Sequence, residues 1–140
     1  VNFNDDYFLD LDKDFTSDVN EMKEALEQKC LVGMLGDRVL AGERQVSCVL
    51  LEGKIVMPAG PFTLAEILNV PVVGFFGVYK GGNRYTIHFT LLSGGNSVPR
   101  EQRAAAVAEL TQHYVDGIET MLFKYPFNWF NFYDYWGDEK

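Results

Sequence analysis

This chain has little of what a self-sufficient enzyme usually displays. Its 140 residues include two histidines and two cysteines. No P-loop, G-x-S-x-G, H-E-x-x-H or C-x-x-C pattern occurs, so the common phosphate, nucleophile, zinc and dithiol sites have no sequence support. Cys30 and Cys48 lie in apolar surroundings without metal-ligand spacing, which predicts reduced, buried thiols. No secretory leader and no N-x-S/T sequon is visible. The longest apolar run, Val70 to Tyr79, is far too short to cross a bilayer as a helix. No Lys/Arg cluster marks a nucleic-acid footprint, and a net charge of −8 repels a phosphate backbone.

The charge is uneven. Nine acids lie within residues 1–29 against three lysines, so that stretch holds most of the excess. Asp10, Asp12, Asp14, Asp18 and Glu21 follow the ligand spacing of an EF-hand loop. Phe15, however, stands where the loop needs its glycine, so a solvated acidic segment is expected and no metal site. An apolar fraction of 47% with 23% charged residues is that of a folded domain. One domain over 1–140 is expected, with an acidic lead-in (1–16), an α/β core (17–124) and an aromatic C-terminal tail (125–140).

Periodicity fills in the core. Ser17 reads as a helix N-cap, and Val19, Met22, Ala25, Leu26 and Cys30 recur at helical spacing to about Lys29. Leu31 to Leu35 reads as a buried strand ending at Gly36-Asp37-Arg38. Gln45–Leu51 and Lys54–Met57 form a candidate hairpin around Glu52-Gly53. Pro61 suits the first turn of a short helix ending near Leu68. Pro71–Tyr79 reads as a second buried strand. The turn Lys80-Gly81-Gly82-Asn83 then leads to a strand over Arg84–Leu92, which alternates Thr86, His88 and Thr90 with Ile87, Phe89 and Leu91. A long helix from Arg100 to Lys124 carries Val107, Leu110, Tyr114, Ile118, Met121 and Leu122 on one face, and Pro126 stops it. Together these elements predict an α/β fold with a mixed β-sheet flanked by helices.

Two places have the chemistry of a binding site. Asp37 and Arg38 follow a strand's carboxyl end, where α/β folds hold ligands, and arginine presents a planar fork to phosphate or carboxylate. Gly60 and Pro61 open a helix, where backbone N–H groups can face an anion. A solvated turn and a plain loop-to-helix corner are the alternatives. His88 and His113 adjoin no nucleophile and read as structural.

The last feature is the densest. Tyr125 to Trp136 (YPFNWFNFYDYW) holds eight aromatic rings in twelve residues, of twenty in the chain. Such a segment is either a lid over a core or an interfacial anchor.

Four stretches, in order, carry a family resemblance: Leu31–Val39 (LVGMLGDRV), Val56–Pro61 (VMPAGP) leading into Leu64-Ala65, Val70–Val73 (VPVV), and the aromatic tail. Over about residues 18–136 the chain resembles the lysophospholipid acyltransferase superfamily. It is most similar to the bacterial branch related to the lauroyl and myristoyl acyltransferases of lipid A synthesis.

The resemblance implies a partial acyltransferase-like domain. It would move a fatty acyl group from an acyl-carrier protein or coenzyme A thioester to a lipid or glycolipid acceptor. No cofactor is implied, and the protein would work at the membrane surface, on the cytoplasmic face of the inner membrane. Asp37 and Arg38 match the family's acceptor-binding block, and Ala59-Gly60-Pro61 its third block. Glycerolipid enzymes carry Glu-Gly-Thr in that block, so the departure suits a lipid A-like acceptor better than glycerol 3-phosphate.

The family's base is a histidine in an H-x-x-x-x-D or H-x-x-x-x-E motif. Here Ser93 follows His88 at that spacing and Ile118 follows His113, so no catalytic residue is assigned. The family motif lies upstream of the GDR block, and the sequence begins at Val1 without methionine. The expectation is therefore the C-terminal half of an acyltransferase, incomplete and inactive alone. The alternative is a non-catalytic binding or interaction domain derived from that fold. A half-domain is also expected to expose apolar surface and self-associate through it. The tail is expected to clasp the sheet, with a ring such as Trp129 or Trp136 at a lipid-facing edge.

Overall fold

The structure is a computed structural model that describes residues 15–39 and 41–137, with side chains from residue 19 onward. It divides into two compact units, Val1–Met34 and Leu35–Lys140. The first contains helix α1 (Phe15–Glu27), which starts two residues before the expected cap at Ser17. The helix closes with Lys29 in the left-handed region (φ 63°). Cys30 N–H then donates to Ala25 C=O and Lys29 N–H to Leu26 C=O, at 2.9 Å each. Asp10, Asp12 and Asp14 lie outside the described residues. Among the described residues no group of acids, histidines and cysteines is arranged to hold a metal ion.

The second unit runs β1 (Gln45–Leu50), β2 (Gly53–Pro58), α2 (Gly60–Leu68), β3 (Val72–Tyr79), β4 (Tyr85–Ser93) and α3 (Arg103–Lys124), with short 3-10 turns at Arg100–Gln102 and Pro126–Asn128. Helices and strands are mixed as expected, but the strands do not share a sheet. Among the described residues β1 pairs only with β2 and β3 only with β4, both antiparallel. Leu31–Leu35, read as the buried strand that would have joined them, forms no strand, and Leu31 is 99% exposed. A short apolar run is a strand only where a partner offers a free edge. In the second unit the outward backbone groups of Val49 in β1 are bonded by α3: the Gln112 carboxamide accepts from Val49 N–H and donates to Val49 C=O, both at 3.0 Å. Glu119 Oε2 accepts from Leu51 N–H at 2.7 Å. Helix side chains thus cover the turn end of that edge.

α3 is the common support. Its Val115 packs into a core lobe with Cys48, Leu50, Ile55 and Met57 of the first hairpin. Its Val107 and Leu110 join Phe62 of α2 and Leu92 of β4 in a second lobe, and Tyr114 borders both. The sequence reading had Val107, Leu110 and Tyr114 on this face but missed Val115 and Thr111. The latter is buried because its hydroxyl donates to Val107 C=O at 2.6 Å. Gly117 lets β3 approach, since a Cβ there would stand 2.8 Å from the Phe76 ring, which itself stacks on Tyr114 at 5.7 Å.

The second hairpin is inverted relative to its sequence pattern. The row bearing Gly74, Phe76 and Val78, with Thr86, His88 and Thr90 opposite, faces α3. The apolar row faces outward: Val73 opposite Leu91, Phe75 opposite Phe89, Gly77 opposite Ile87 and Tyr79 opposite Tyr85, with every large member exposed. Pro71–Tyr79 is therefore not a fully buried strand. The inward row is held by the Phe76 ring, which stacks on Tyr114 and fits against Gly117, and by the buried Val78 and Leu92.

In the first hairpin the turn lies at Leu51-Glu52, one residue before the expected position. Both residues take positive φ (50° and 65°), as a two-residue type I′ turn demands. Gly53 serves the tail instead, because a Cβ there would collide with the Trp136 indole. Each L-residue held in the left-handed region costs about 1–2 kcal/mol. Replacing the pair by Asn-Gly (Leu51→Asn with Glu52→Gly) should therefore raise unfolding stability by about 1–2 kcal/mol. Urea denaturation checks this, and unchanged or lower stability would remove strain from the description of the turn.

Candidate functional site

The segment after Leu35 and the first turn of α2 lie side by side. A Cβ at Gly36 would sit 3.5 Å from the Phe62 ring, one residue past Pro61. The aromatic tail holds that segment in place. Tyr135 O–H donates to the Asp37 carbonyl at 3.1 Å, and its oxygen lies 3.5 Å from Met57 Sδ at the end of β2. Arg38 is exposed, its guanidinium 5.7 Å from the centre of the Tyr133 ring. Gly60 is exposed as well, with open space where a side chain would stand. Ala59 N–H is tied to Arg44 C=O at 2.8 Å, which fixes the entry to α2.

Residues far apart in sequence thus come near one another here: Asp37 and Arg38 from the loop, Tyr114 from α3, and Tyr133 and Tyr135 from the tail, with the start of α2, where Gly60 and Pro61 lie, joined through Phe62. The three tyrosines were not foreseen. Tyr114 had been read as an ordinary member of an apolar stripe. A buried phenol at helical spacing needs a polar outlet, and that was the available signal.

The electrostatics favour neutral phenols. Burial, followed by the nearby Asp37 carboxylate, pushes Tyr114 up to about 12. Burial also pushes Tyr135 upward, reinforced by Tyr133, Tyr114, Asp37 and Cys48. Partial burial raises Tyr133, while the charge and hydrogen bond of Arg38 pull it back and Asp37 adds to the rise. Cys48, the expected buried reduced thiol, is pushed up to about 11 by burial and then by Asp116. These phenols and this thiol keep their protons near neutrality. They present hydrogen-bond donors and apolar walls, not nucleophiles.

The histidines belong elsewhere. His88 faces α3, its ring 5.4 Å from that of Tyr125 and its buried Nε2 without a hydrogen-bond partner. His113 is exposed and borders a shallow groove between β4 and α3 with Leu91, Asp116 and Thr120.

The tail does act as a clasp. Trp129, Tyr135 and Trp136 form a ring cluster, with Trp129 edge-on to Tyr135 at 4.9 Å. Trp136 Nε1–H donates to Leu50 C=O at 3.0 Å, and Asn128 Oδ1 accepts from Tyr79 N–H at 2.7 Å. Trp136, expected at an outer edge, is both anchored through its indole N–H and 39% exposed, whereas Trp129 is half-buried; the most exposed rings are Phe127 and Phe132, each at 92%. Among the described residues no helix is long and apolar enough to cross a membrane.

Two outcomes are expected. Tyr135→Phe should cost about 0.5–1.5 kcal/mol and speed amide exchange at residues 36–39 while leaving β1 and β2 protected; hydrogen-exchange mass spectrometry reads both. Tyr114 is held neutral in the fold, so its contribution is whole below the unfolded value near 10. It is lost as pH rises from there to about 12. Denaturation across that window should show wild type losing up to about 2–3 kcal/mol more than Tyr114→Phe. Parallel losses would remove the effect.

No family model matches this chain, and neither a curated protein nor a solved structure matches it.

Proposed function

We propose that this chain is the acceptor-binding, C-terminal part of an acyltransferase, moving a fatty acyl group from an acyl-carrier protein or coenzyme A thioester to a lipid or glycolipid. One observation carries the reading. Gly36 packs on Phe62, which brings the two stretches that resemble the family, one around Asp37-Arg38 and one around Gly60-Pro61, side by side. Together they suit an amphipathic, anionic acceptor. Arg38 offers a cation at the exposed side with the exposed Tyr133 ring beside it, and the amino end of α2 adds partial positive charge.

In this reading the chain binds and orients the acceptor, and a histidine-acid pair outside these 140 residues supplies the base. That base takes the proton of the acceptor hydroxyl or amine. The freed oxygen or nitrogen attacks the thioester carbonyl, and the tetrahedral oxyanion collapses with loss of the thiol. The protein would be peripheral, on the cytoplasmic face of the inner membrane.

The alternative, a non-catalytic interaction domain, is favoured by the exposed apolar row of β3 and β4. A full-length protein that binds lipid acceptor but never turns over acyl donor would decide for it.

Loss of a charge-assisted contact costs about 1.5–3 kcal/mol, or roughly 10–100-fold in rate. Arg38→Ala in the full-length protein should therefore lower acyl transfer by about that factor, chiefly through acceptor KM, with an unchanged circular dichroism spectrum. Wild-type turnover in the variant would remove Arg38 from the acceptor site.

A further inference from the structure

The outward row of the β3–β4 hairpin is the largest feature that the acceptor cleft does not use. Its cross-strand pairs stand directly opposite one another, so the side chains form two parallel rows on one face of the ribbon. Exposure of the large members runs from 40% at Tyr79 to 71% at Phe89. Side chains of this size present on the order of 150–250 Å² when fully open. The row therefore leaves roughly 800 Å² of mainly apolar surface exposed, about the share that one partner contributes to a standard protein interface.

Charge restricts what can cover it. Val72 to Ser93 contains no acid, and its cations, Lys80 and Arg84, lie at the turn. Thus the −8 chain has kept this face free of its own excess charge. Two cations at one end of the ribbon fall short of the cluster of about four to eight that marks a segment drawn to anionic lipid.

A second copy of the same hairpin meets every requirement. Phe75 and Phe89 sit near mid-length, with smaller Val73, Leu91 and Ile87 to either side, a profile that a two-fold rotation can set against itself. With the axis across the strands, the two basic turns point to opposite ends. Eight residues of strand separate them by about 26 Å, well beyond the screening length at physiological salt.

We infer that this face is a homodimer interface, in which the β3–β4 hairpins of two copies pack face to face as a small sandwich. The interface is independent of the acyl-transfer reading, and neither stands or falls with the other.

Sedimentation equilibrium of the complete 140-residue chain between about 1 and 100 µM tests it, a range chosen because interfaces of this size hold in the micromolar range or tighter. The expected result is a reversible dimer of 15.9 kDa subunits. Phe89→Lys, at an exposed position, should keep the circular dichroism spectrum and weaken the dimer by at least about 30-fold, as loss of a central contact does. Phe75→Thr should weaken it less, and Phe127→Ser, in the tail, should leave it intact. A monomer at every concentration would overturn the inference, as would a dimer indifferent to Phe89→Lys or one lost in Phe127→Ser. A monomer that instead sediments with phosphatidylglycerol vesicles would assign the face to lipid.

Discussion

The second unit depends on the seating of one helix face. Val107, Leu110, Thr111 and Val115 of α3 are buried, and the two hairpins share no strand pairing with each other. Each reaches the core through the helix: the first through Val115 and the Gln112 and Glu119 side chains, the second through Leu92 and the fit of Phe76 against Gly117. A two-stranded ribbon is marginal alone in water. Here each borrows stability from a common support, and Tyr114 joins the two halves of the core. The polar bonds to Val49 and Leu51 tie the turn end of the first hairpin to α3.

The candidate cleft follows from that arrangement. α3 carries Tyr114 to one wall, and its end launches the tail that returns over the first hairpin. Trp136 lands on Gly53, Tyr135 reaches Asp37, and Tyr133 lies beside Arg38. The tail thus does two jobs with different rings. Its tryptophans and Tyr135 hold structure, while Tyr133 lies beside the exposed Arg38 guanidinium. The phenols are too strongly held in their neutral form to act as bases near neutrality.

Much of this could be read from residue order. The Gly81-Gly82 turn, the proline at the start of α2, the helical spacing to Lys124 and the stop at Pro126 are local signals, and local signals survive folding. What was illegible depended on partners. Leu31–Leu35 has the composition of a buried strand but finds no edge to join. Ile87, Phe89 and Leu91 have the alternation of a core face but turn outward, because α3 takes the opposite row. Gly53 looks like a turn glycine and is needed under an indole. Asp37 and Arg38 could be singled out by residue type, whereas the tyrosines around them emerge only once the tail has folded back.

The dependence of both hairpins on α3 is tested most directly by native-state hydrogen exchange across a denaturant series. The account predicts that the slowest amides of β1, β2, β3, β4 and α3 merge into one isotherm at the global unfolding free energy. A β3–β4 hairpin exchanging through its own low-energy opening, with α3 and the first hairpin still protected, would contradict it.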